Sequence, residues 1–71
     1  MKVYGYVIMQ PPVIPGKKFV PHLHTFAETP AYAWRYHVGP NVDNMDIPTY
    51  IQRWHDKGYR VKRAMMEIED D

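Results

Sequence analysis

An α+β fold is predicted for this chain of 71 residues: a small antiparallel sheet of about three strands, with two helices packed on one face, in the order β-β-α-α-β. Three observations predict it. Residues 2–9 form a run rich in Val, Ile and Tyr, side chains that suit a pleated surface. Two later stretches, 29–39 and 46–58, carry helix start and stop signals around an apolar period. The chain then closes on an alternating run, 59–69, that reads as a last strand.

The first strand is apolar on both sides. Val3, Val7 and Met9 fall on one face, and Tyr4, Tyr6 and Ile8 on the other. Such a strand is expected at the centre of a sheet or covered twice. Gly5 interrupts it, which suggests a bulge or a close backbone approach. Residues 10–18, with Pro11, Pro12 and Pro15-Gly16, are a loop, because proline blocks both helix and inner strand. Residues 18–26 are a second strand, pairing with the first as a long hairpin. Pro21 has no N–H to donate, so an edge position is expected.

Thr29 is placed to cap the first helix, with Pro30 at its first position and Gly39-Pro40 as its stop. Its apolar stripe is Ala31, Trp34 and Val38. A start at the Thr25–Glu28 box would bury Pro30 within the helix and is disfavoured. After the turn-forming residues 40–46, Asp46 is expected to cap a second helix, with Met45 and Tyr50 as a hydrophobic staple. Ile47, Tyr50, Ile51 and Trp54 give the clearest period in the chain, and Gly58 ends it. In the last strand the apolar parity switches between Val61 and Ala64-Met66, which suggests a bulge near Arg63. The acidic tail Glu69-Asp70-Asp71 is expected to fray. No repeat or boundary divides the chain, so residues 1–71 are read as one small domain.

Composition narrows function. With no cysteine there is no disulfide framework and no thiol nucleophile. With no serine there is no serine nucleophile, and Pro15-Gly16-Lys17-Lys18 lacks the rest of a phosphate loop. A non-enzymatic protein without a cofactor is therefore expected. The net charge of +1 marks neither a polybasic binder nor an acidic one. The apolar opening run stops at Gln10-Pro11-Pro12 with no small-residue cleavage site, so it reads as a strand and the expected location is the cytoplasm.

Two constellations carry chemistry. His22-Leu23-His24 puts two imidazoles on one strand face, enough for two ligands of a tetrahedral metal, which His37 or His55 with Asp43 or Asp56 would complete. No third ligand stands at a diagnostic spacing, so both are read as edge-strand histidines beside Pro21 and no metal is assigned. Arg53, Lys57, Arg60, Lys62 and Arg63 are interleaved with Trp54, His55 and Tyr59, a mixture suited to phosphate contact and base stacking. A nucleic-acid-binding accessory protein using 53–63 is accordingly the second functional reading. Trp34 and Trp54 are read as core.

The helix bearing Trp54, followed by Asp56-Lys57-Gly58-Tyr59-Arg60-Val61 and a strand ending in acids, resembles the ends of small phage- and prophage-encoded proteins of unknown function. The resemblance covers only this C-terminal stretch. It implies an accessory gene product acting in a bacterial cytoplasm, and it carries no site.

A chain this short has a thin core. Two helices over one sheet face leave the other bare, and Tyr4 and Tyr6 are expected to line that bare face. The leading expectation is thus a protein–protein interaction module or regulatory accessory protein. It would form a homodimer or bind a protein partner through Tyr4 and Tyr6, or through the edge strand near 20–26.

Overall fold

The computed structural model describes residues 1–69; Asp70 and Asp71, the end of the acidic tail expected to fray, lie outside the described residues. The elements are β1 (Lys2–Gln10), β2 (Val20–Ala27), α1 (Pro30–Val38), α2 (Ile47–Asp56) and β3 (Arg60–Glu67). The strands form one sheet in the order β2-β1-β3, with both pairs antiparallel. The doubly apolar strand is therefore central, as its pattern requires. The chain leaves β2 at one edge, crosses one face as two helices, and returns as β3 at the other edge. No helix of the described residues is long and apolar enough to cross a membrane.

Helix ends follow local chemistry. Thr29 Oγ1 accepts from the amide of Tyr32 at 3.2 Å, ahead of Pro30. Gly58, at φ 99°, closes α2 by a pair of bonds in which its own N–H reaches His55 O and that of Tyr59 reaches Trp54 O. Asp46 corrects the expectation: it precedes α2, but its side chain makes no capping bond. Asp43 acts instead, its Oδ1 accepting from Met45 N at 3.1 Å while its carbonyl accepts from Asp46 N. Met45 is exposed, so the expected staple with Tyr50 does not form.

The core lies between the sheet and α1. Ile8, Ala27, Ala33 and Trp34 are buried, and Tyr6, Ile51, Trp54, Tyr59 and Val61 pack on them. Ala31, placed in the α1 stripe by its spacing, is exposed, and Ala33 takes its place. None of the α2 residues is fully buried; α2 leans on α1, and α1 lies across the strands.

Register corrects the bulge. β1 and β3 pair without a break from Lys2↔Glu67 to Met9↔Arg60, so there is none at Arg63. The irregularity is in β2: between the pairs Tyr6↔Ala27 and Ile8↔His22, Val7 alone faces residues 23–26. The parity switch in β3 has another cause. Val61, opposite Ile8, packs on the core, whereas Ala64 and Met66, opposite Gly5 and Val3, belong to the other face.

Candidate interaction surface

Alternation along β1 assigns the two sheet faces. Ile8 and Tyr6 are on the helix side, so Val3, Gly5, Val7 and Met9 form the reverse side. The expectation for Tyr6 is corrected: it packs against the core instead of lining the bare face. Tyr4 is exposed, but its parity also places it on the helix side.

The reverse face is apolar all the same. An open depression of about 470 Å³ lies on it, walled by Val7, Met9, Pro21, Leu23, Phe26, Ala64 and Met66, with Lys62, Arg63 and Met65 on the outer strand β3. Leu23 is 76% exposed and Met66 is 44% exposed, so neither is satisfied within this chain. The proline-rich stretch does not roof it. Pro11 lies instead against Gly58, where an added Cβ would meet it at 3.2 Å, and residues 13–19 are exposed.

Gly5 shapes this face. A Cβ built on it would stand 2.6 Å from the Ala27 carbonyl oxygen and 2.9 Å from the tip of the Phe26 ring. The ring therefore occupies ground that a side chain at position 5 would take. This is the close approach that the glycine suggested.

The histidines gather on the helix side. His22, whose Cα pairs with Ile8, has its ring centroid 5.8 Å from His24 and 5.4 Å from His37. His22 Nε2 donates to Gln10 Oε1 at 2.7 Å. His22 is half-buried, not the exposed edge residue its position suggested. His37 stacks edge-on against Trp54 at 4.5 Å and lies 5.1 Å from Tyr59. Its Nε2 is buried without a hydrogen-bond partner among the described residues. Burial, reinforced by His22 and His24, holds the His37 pKa below its ordinary 6.5. Among the described residues no group of three or more His, Asp or Glu side chains is arranged to hold a metal ion.

The basic segment is split. Arg53 lies over the Tyr50 ring at 5.3 Å and Lys57 over Trp54 at 4.8 Å. Arg60 Nη1 donates to the carbonyls of His55 and Tyr59, both at 2.8 Å, and so closes the end of α2. By register Lys62 shares the face of Val7, and Arg63 that of Tyr6. The five cations thus do not share one surface.

Leu23 and Phe26 lie within the edge segment 20–26 expected as the alternative contact, and Met66 is the residue of this face missed from sequence. One signal points to Met66. Tyr59 leaves α2 directly and joins the helix side, and Val61 shares its parity, so Ala64 and Met66 must face away. Compared with protein-family models, curated proteins and solved structures, the chain matches none.

Proposed function

We propose that this chain is a non-enzymatic protein-interaction module whose working surface is the reverse face of its sheet. The observation that supports this most is the exposure of Leu23 and Met66 beside the half-buried Phe26 and the buried Val7. Contiguous apolar surface of this kind marks a contact site. The phage or prophage accessory setting, in a bacterial cytoplasm, belongs to the same proposal and rests on the C-terminal resemblance alone.

A face kept apolar for contact, and not for folding, tolerates charge. Leu23→Glu is expected to shift unfolding free energy by no more than about 0.5 kcal/mol, in urea titrations at high dilution where association contributes least. A loss of several kcal/mol would make this face part of the fold's own core and end the proposal.

A further inference from the structure

The occupant of the reverse face follows from the size and shape of the protomer; the inference rests on the reading above. A monomeric protein of 8.4 kDa is expected to expose about 4,600 Å². This one exposes 5669 Å². The surplus, about 1,000 Å², is shared with the exposed stretch 13–19 and with α2, and is large enough to include the roughly 800 Å² that each partner buries in a standard interface. Compactness agrees. The radius of gyration is 13.3 Å, where a self-sufficient domain of this length has about 11 Å. The molecule is a slab, with extents of 42 × 33 × 16 Å.

We infer that the reverse face is covered by a second copy of this chain, sheet against sheet, about a twofold axis. The chemistry of the face suits a copy of itself. Its lining holds no acid, and its one cation by register, Lys62, stands on the edge strand β3 beside Val7, while Arg63 of the same strand turns to the helix side. A surface with a charge-free centre recognises another such surface, because interface cores exclude charge. An axis running along the strands lays β3 of each copy over β2 of the other. That keeps Lys62 of one copy and Lys62 of the other on opposite margins, where like charges do not meet. Met9 and Met66 adapt to whatever small mismatch the sheet twist leaves. Two faces pack with their sheets about 10 Å apart, so one layer of side chains from each copy fills the gap.

The test is sedimentation equilibrium of the full chain beside three variants: Leu23→Glu, Met66→Glu and, on the outer side of α1, Tyr32→Glu. The parent and Tyr32→Glu should be dimers. Each face variant should weaken association by about a hundredfold or more, since a twofold interface meets every substitution twice. Circular dichroism checks that each variant is folded, and Met66→Glu serves if Leu23→Glu is not. A parent that stays monomeric to its solubility limit overturns the inference, as does a dimer that survives both face variants. With a monomeric parent and an undisturbed Leu23→Glu fold, the contact face stands and only the second copy falls. If both face variants unfold, the contact face falls as well.

Discussion

The hydroxyl of Thr25 stands in for a missing rung of the sheet: Oγ1 accepts from the Ile8 amide at 2.9 Å and donates to the His22 carbonyl at 2.6 Å. Thr25 and Ile8 are fully buried, so no water supplies the Ile8 amide with a partner. The side chain closes the ladder where the β2 bulge opens it.

Thr25→Val keeps the shape and removes the hydroxyl. It leaves a buried N–H and a carbonyl short of a partner, and should destabilise the fold by about 1–3 kcal/mol in chemical denaturation. Thr25→Ser keeps the hydroxyl and should lose clearly less. Equal losses would mean that the methyl group matters and the bond does not.

Gly5→Ala should destabilise despite the better strand propensity of alanine. The new Cβ meets the Ala27 oxygen as well as the Phe26 ring, and backbone oxygen cannot step aside. A loss of about 1–3 kcal/mol is expected. Pairing it with Phe26→Leu should recover only part, because the carbonyl clash persists. Full recovery would place the whole conflict in the ring.

His37 makes stability depend on pH. Its folded pKa is lowered from 6.5, first by burial and then by His22 and His24. Between that lowered value and 6.5 the unfolded chain holds more protons than the folded one. Stability therefore rises with pH across this window, is full above it, and is lost as pH falls below 6.5. His37→Gln should flatten this part of the urea-midpoint profile while leaving any carboxylate titration at lower pH. An unchanged slope would assign the dependence to other groups.

Arg35 ties α1 to the turn that leads into α2, its Nη1 donating to the Val42 carbonyl at 2.7 Å. Arg35→Met keeps much of the stem and should cost about 1–2 kcal/mol. Hydrogen exchange should quicken most at Asp46, whose amide is bonded within that turn to Asp43. Uniform quickening across the chain would indicate a global effect.

The layer plan was legible because each of its elements carries its own punctuation: Thr29-Pro30, Gly39-Pro40, Gly58. The central place of β1 was legible from two apolar faces. Which of those faces the helices cover was not, because Tyr6-Ile8 and Val7-Met9 are equally suited to burial and only the long-range register chooses. That exchange moved the bare face from Tyr4 and Tyr6 to Leu23, Phe26 and Met66. The β2 bulge was hidden for a related reason. Thr25 looks like an ordinary strand residue until its hydroxyl meets Ile8, seventeen positions earlier in the chain. The basic segment read as continuous because helix end, turn and strand are adjacent in sequence, whereas the fold turns Lys62 and Arg63 to opposite faces.

The most direct test of a reverse face completed by a second copy is the thermal midpoint of the unmodified chain over about a thousandfold range of concentration. Association of folded protomers makes Tm climb steadily with concentration by mass action. A midpoint that stays constant over that range would mean that this thin slab stands in water alone.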